Sequence, residues 1–517
     1  DWQVRDPVKQ EVSLKCNLRK IDRDLNCSGL SVSQMERTKE LSVHCSDVLF
    51  CQSSLHSRIF QRLFNLDTLT VEYCKLTDIP IGTFLGLDFL TQLTVTTHNS
   101  DWSAMDLKLQ SESFVGMPQL QTLRLGSNNI WTLPARVFCP LPALKNLNLT
   151  WNHLQNVFEI GVTGGCGAHL ITLDLSGNDL VLLPEAGLAG LESLKKLYLQ
   201  YNDISVITKH SLTGLKSLEI LNISSNSLHS LPLDIFNETL ELRELYIQNN
   251  SLNVIAPGLF SGLSYLTVLE LSSNHLSSEW VTRETFLGLV RLVVLNLSNN
   301  EISQITSDMF YDLSALQILD LSHNDLKTID DLTFSSLANL HHLDLSYNRL
   351  STLGDKSFTG LHVLSTLSLS HNNLTQISLS VLQNCTSLSD LYFEFNFLEN
   401  IPKAVSQAKS LKILRLSHNL LSEIIASDLS ELKHLQHLDL SNNLLMHLCK
   451  ECLQELKEIE VLDLSMNKIS TISHGAFDSN SALKLLRLDG NALKDVNALF
   501  ATLPNLQWLN ISYNNIT

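Results

Sequence analysis

One asparagine recurs about every 24 residues along nearly the whole chain, and that spacing constrains the fold more than any other feature. It stands at Asn128, Asn152, Asn178, Asn202, Asn226, Asn250, Asn274, Asn300, Asn324, Asn348, Asn372, Asn396, Asn419, Asn443, Asn467, Asn491 and Asn514. Each closes a pattern L-x-x-L-x-L-x-x-N, clearest in LKKLYLQYN, LHHLDLSYN and LQHLDLSNN. Ser46, Cys74 and His98 hold the equivalent place in three degenerate units before these, which makes twenty repeats. A chain of 517 residues would ordinarily divide into several globules. A repeat of this period removes that limit, because each unit buries its apolar face only against its neighbours.

Within a unit, x-L-x-L-x alternates with period two, so the leucines point inward from a short strand while the intervening residues face out. Adjacent units pair those strands in parallel. The asparagine amide, with donors and an acceptor on a short stem, can satisfy backbone groups left open where the chain turns away; Cys74 stands in for it imperfectly. A second apolar line, Phe84, Phe114, Phe138, Phe260, Phe286, Phe310, Phe334, Phe358, Phe477 and Phe500, belongs to the opposite, convex side. Strands stack about 4.8 Å apart while the bulkier outer segments need more room, so the stack curves. The expected fold is an α/β solenoid: a leucine-rich-repeat horseshoe whose concave parallel β-sheet runs roughly 95 Å along its arc.

Residues 1–60 lack the consensus and contain Cys16, Cys27, Cys45 and Cys51, as suits a disulfide-stapled cap with a degenerate first repeat. Residues 61–517 form the solenoid, which stops at NISYNNIT in mid-repeat, so a natural continuation is expected. Three irregular stretches, NSDWSAMDLKLQ, GVTGGCGAH and SSEWVTRETF, are expected to emerge as loops, either as binding elements or as tolerated length variation.

The net charge of −17 opposes binding to nucleic acid or to an anionic membrane and favours a basic or neutral protein partner. No apolar run reaches the 18 residues of a membrane span. Ten cysteines accompany ten Asn-x-Ser/Thr acceptors, at Asn26, Asn148, Asn222, Asn237, Asn249, Asn296, Asn373, Asn384, Asn510 and Asn515. Together they place the chain outside the cell and make N-linked glycans the one expected attachment, with no cofactor. No phosphate loop, nucleophile elbow or HExxH helix occurs, and an open sheet lacks a water-excluding cavity, so no enzyme is expected.

An outward column of Asp174, Glu270, Asp320, Asp344, Glu394, Asp439, Asp463 and Asp489 meets few basic residues beyond Arg415 and Arg487. Asp320, Asp344, Glu394, Asp439 and Asp463 are the candidate contacts for a basic ligand; the alternative is a merely solvated polar face. Asn148, Asn222, Asn296 and Asn510 occupy the same outward strand position, and glycans there would direct a partner to a flank, to the N-terminal units or to the stretch from Asp320 to Asp463. Cys16 with Cys27 and Cys139 with Cys166 are the expected disulfides, and Cys385 replaces a core leucine as a buried thiol. Cys45, Cys51 and Cys74 stay open. Cys449 and Cys452, near His447, form a lone CxxC, which outside the cell reads as an accidental or disulfide-bonded pair rather than a zinc site. His434 and His437 read as repeat-surface residues.

The non-consensus stretches LSVHCSDVLF, VEYCKLTDIP, THNSDWSAM, NNIWTLPARVFCPLPALKNLNLT and SSEWVTRETFLGLVRLVVLNLSNN resemble the ectodomain of arthropod Toll receptors, most of all the long Tollo and eighteen-wheeler type. The resemblance runs through most of the chain. It implies a cell-surface, single-pass signalling receptor whose transmembrane helix and TIR domain lie outside this sequence. It also implies ligands of the Spätzle or neurotrophin-like cystine-knot class, receptor dimerisation, and a role in innate immunity or in developmental cell contact. A leucine-rich cell-adhesion or matrix protein is the alternative, and a cytosolic inhibitor-type repeat protein a third reading.

Overall fold

The computed structural model describes residues 2–6, 10–14, 35–44, 54–97, 105–162, 165–496, 500 and 502–516. The chain forms two compact units, Asp1–Ser251 and Leu252–Thr517. Cys16, Asn26, Cys27, Cys45, Ser46, Cys51, His98 and residues 99–104 of the Trp102 insertion lie outside the described residues.

In the first unit, nine parallel strands run from Glu40–His44 to Glu244–Tyr246. Their central leucines face one another in unbroken register, from Leu69 opposite Leu93 to Leu221 opposite Leu245. The open edge at Glu40–His44 is covered by Trp2–Asp6, which runs antiparallel to it and to Gln10–Leu14. A hairpin at that place occupies backbone groups that would otherwise template pairing with another chain. In the second unit, eleven parallel strands run from Val268–Glu270 to Trp508–Asn510, again with leucine opposite leucine at each step.

Outside the strands the return segments are mostly turns. The described helical pieces are short: 3-10 segments at Val157–Glu159, Arg283–Thr285 and Lys403–Gln407, and one α-helical turn at Ala426–Leu429. Phenylalanines stack behind the sheet in both units. Phe60, Phe84, Phe114 and Phe138 lie 5.8 to 6.2 Å apart in the first, and Phe286, Phe310, Phe334 and Phe358 lie 6.0 to 6.4 Å apart in the second. Phe60, in the degenerate first unit, extends the line beyond the consensus.

The repeat asparagine closes each coil on the one before it. The Asn348 side chain donates to the carbonyls of Leu345 (3.1 Å), in its own coil, and Leu321 (2.9 Å), in the preceding one. Its Oδ1 accepts from the Leu326 N–H at 3.0 Å. The same set recurs at Asn324, Asn372 and Asn443. Cys74 does not substitute for it. It is disulfide-bonded, and a disulfide sulfur carries no hydrogen to donate to a carbonyl.

Replacing Asn348 with Ala strands a buried N–H and two carbonyls, so a loss of about 3 kcal/mol is expected in chemical denaturation. Asn348→Asp is expected to cost a similar amount, because a carboxylate keeps the acceptor and loses the donors. A loss below about 0.5 kcal/mol for both, within the range of ordinary surface substitutions, would contradict this account.

Candidate functional site

The residue four places before each repeat asparagine ends a strand and faces outward. In the second unit this column reads Glu270, Asn296, Asp320, Asp344, Ser368, Tyr392, Arg415, Asp439, Asp463, Arg487 and Asn510. Asp320, Asp344, Asp439 and Asp463 therefore share one column, interrupted by Ser368, Tyr392 and Arg415. Two expected members do not belong to it. Glu394 and Asp489 stand two places before the asparagine, where Ser346, Ser370 and Ser417 stand in other repeats. Both positions face outward in a two-residue period, so alternation alone did not separate them. Both are sheltered, their side chains 15 % and 11 % exposed, and Glu394 accepts a hydrogen bond from the Ser370 hydroxyl.

The column aspartates also serve the fold. The Oδ1 atoms of Asp320, Asp344, Asp439 and Asp463 accept the backbone N–H of the serine two residues on, at 2.8 to 2.9 Å. Asn148, Asn222, Asn296 and Asn510 make the same bond at 2.9 to 3.1 Å. Aspartate and asparagine are thus interchangeable here for the backbone, and they differ in charge and in glycan acceptance. Of the remaining acceptors, Asn237, Asn249, Asn373 and Asn515 are exposed and Asn384 is half-buried.

Beside this column the second unit carries an open groove of about 510 Å³, lined among others by Ser370, Tyr392, Glu394, Arg415, Asp439 and Asp463. Both of its arginines are engaged. Arg415 approaches Glu394 at 3.8 Å with its guanidinium 5.5 Å from the Tyr392 ring centroid. Arg487 pairs with Asp463 at 3.1 Å and Asp489 at 3.4 Å. Burial pushes the Glu394 carboxyl above the usual carboxylate range. Burial, and then the neighbouring Asp439, does the same to Asp463.

One wall of the groove was not anticipated. His323, Tyr347, His371, Phe395 and His418, each immediately before its repeat asparagine, stack ring on ring with centroids 3.9 to 4.1 Å apart and planes within 13°. All five have φ between 52° and 56°, in the left-handed region. Bulky residues there cost on the order of 1 kcal/mol each. Asn299, Asn442 and Gly490 fill the same place in neighbouring repeats, so cheaper residues were open to the sequence. The signal was present as SHN, SYN, SHN, EFN and SHN in consecutive units.

The expected disulfide partners Cys139 and Cys166 are joined, with Cα atoms 4.7 Å apart. Cys449 and Cys452 are also joined, which leaves no thiolate there for a metal. Cys385 is fully buried, and burial pushes its thiol up to about 12. His434 lies 3.3 Å from Glu458, and His437 faces outward from its strand. No helix among the described residues is long and apolar enough to cross a membrane.

The leucine-rich-repeat family model matches ten stretches, nine of them overlapping, that together cover residues 107–154 and 168–493. The chain belongs to the leucine-rich-repeat family. Among curated relatives it is 41% identical over 303 residues to Toll-like receptor 7 of Drosophila melanogaster, a match covering 57% of this chain and 21% of that protein. It is 33% identical over 160 residues to osteomodulin of Rattus norvegicus, covering 31% of this chain and 35% of that one. The chain thus spans about a fifth and a third of these relatives' lengths. Among solved structures, the Toll–Spatzle complex of Drosophila aligns with a TM-score of 0.61 at 20% identity, covering 91% of this chain and 64% of that one, a likeness of fold.

The central imidazole of the stack carries a pH consequence. Burial, then His323 and His418 on either side, holds the His371 pKa below the ordinary histidine value. A depressed folded pKa means that its contribution to stability is present above about pH 6.5 and is lost as the pH falls. Glu394 and Asp463 titrate in the opposite sense, their burial costing most once they ionise at higher pH. His371→Phe keeps the ring and removes the proton site, so its melting temperature relative to the parent is expected to rise as the pH drops from 7.5 to 5. A difference that stays flat over that range would rule this out.

Proposed function

We propose that this chain is the ligand-binding extracellular region of a Toll-family single-pass signalling receptor, most like the Tollo and eighteen-wheeler type. The observation that carries the reading is the 41% identity to Drosophila Toll-like receptor 7 over 303 residues. In this reading the chain sits on the outer cell surface, carries N-linked glycans at the acceptors named above, is not an enzyme, and dimerises when it binds. Its ligand is a basic protein of the Spätzle or neurotrophin-like cystine-knot class, taken on the second unit's outward face at Asp320, Asp344, Glu394, Asp439 and Asp463. The excess of 53 acidic over 36 basic residues supports the sign of that partner. The likeness to osteomodulin favours the second reading, an adhesion or matrix protein without signalling.

Binding of the secreted chain to a panel of cystine-knot proteins, and to itself, at 50 and 300 mM salt separates the two readings. A receptor binds one of the panel and loses affinity as salt rises, whereas an adhesion protein binds only itself. Aspartate-to-asparagine substitution sharpens the test, since Asp344-Leu345-Ser346 becomes a glycan acceptor in a backbone setting the chain already uses at Asn296. Asp344→Asn is expected to add one glycan and abolish binding. Asp344→Ser, which copies Ser368, is expected to weaken binding by only about threefold, the scale of one exposed charge pair. Unchanged binding by a protein shown to carry the glycan would move the ligand off this face.

A further inference from the structure

The five-ring stack is a second element of the same face, and its chemistry narrows what binds there. Because the rings lie face to face, each interior ring has its faces covered and presents an edge outward. Tyr347 and Phe395 remain 46% and 44% exposed. The result is a narrow aromatic ribbon crossing five strands, about 16 Å between its outer rings at the 3.9 to 4.1 Å spacing of the stack, a length that about five residues of extended chain would cover. Alongside it runs the column containing Ser370 and Glu394, and beyond that Asp344, Asp439 and Asp463.

An aliphatic ribbon partner would leave these carboxylates desolvated, and an acidic one would be repelled. A long cationic side chain satisfies both strips, its stem on the rings and its head at the carboxylates. The groove already holds one arginine between an aromatic ring and a carboxylate, the Arg415 guanidinium lying over the Tyr392 ring and 3.8 Å from Glu394. Among the described residues, Asp344 and Asp439 make no ion pair with a basic side chain, so their charge is open to a partner. We propose that the stack from His323 to His418 is a docking rail for an extended, arginine- or lysine-bearing segment of the protein ligand, lying across the strands. This rests on the receptor reading for its physiological partner, and the geometry carries it for the segment itself.

The test uses the secreted full chain and two six-residue peptides in which Arg or Glu alternates with Val. The arginine peptide is expected to bind and the glutamate peptide not. Tyr347→Ser with Phe395→Ser places at both sites the residue that Ser225 and Ser273 already hold at φ 51°. That variant is expected to lose about tenfold in affinity, the scale of about 55 Å² of apolar stem no longer buried against the ring edges, while still unfolding cooperatively. Should it fail to fold, histidine acylation of the parent protein, mapped by mass spectrometry, gives an independent answer: the arginine peptide must protect His371 and His418 and leave His229 reactive. Equal binding of both peptides, undiminished binding by the variant, or absence of protection would each overturn the rail. A cystine-knot protein that binds the variant and the parent alike would overturn it while leaving the receptor reading intact. If none of the panel binds but the peptide results hold, the receptor reading fails and the rail stands.

Discussion

The side-chain amide of the repeat asparagine is the interaction on which the rest of this molecule depends. A three-residue strand leaves most of its coil without a regular ladder, and the carbonyls where the chain turns away from the sheet would be buried unpaired. One amide, bonding to its own coil and to the coil before it, removes that cost and fixes the distance between them. The leucine and phenylalanine lines then pack at a spacing already set, and every outward position recurs at the strand separation. That regularity turns single side chains into columns.

Columns are the functional material of this fold. A residue with no consequence in one repeat becomes a strip when its neighbours repeat its chemistry, as the rings from His323 to His418 do. The place immediately before the asparagine is held in a left-handed conformation by the turn, and Ser127, Gly177, Ser225, Asn249, Ser273, Asn299, Asn442 and Gly490 fill it with small or amide residues in other repeats. Five rings in succession accept that strain and stack on one another, which offsets part of it. In the first unit the same place holds Trp151 and Tyr201, separated by Gly177 and 6.0 Å apart, so no continuous stack forms there.

Much of the fold could be read from the sequence because its signals are local and periodic: the asparagine ruler, the paired leucines and the phenylalanine line each lie within one repeat. What escaped was information that lives between repeats. Glu394 and Asp489 were assigned to the aspartate column because alternation marks both as outward, and only counting from the asparagine separates the two places. The ring stack escaped because histidine, tyrosine and phenylalanine share no single letter, and their common trait, stacking from a positive-φ site, is a property of backbone and neighbour together. Cys74 misled because its own position in the repeat does not tell a free thiol from a disulfide-bonded one. The exchange of Asp for Asn before Leu-Ser was visible throughout, but its meaning came from finding both residues making the same backbone bond.

The most direct test of the central claim is to excise one whole period, residues 325–348, so that Asn324 is followed by Arg349 in unbroken register, and to follow unfolding by circular dichroism. If each asparagine joins one coil to the next, the shortened chain keeps its spectrum per residue and a cooperative transition, while removal of residues 325–336 alone destroys both. A half-period excision that is tolerated, or a full-period excision that unfolds the protein, would contradict the account.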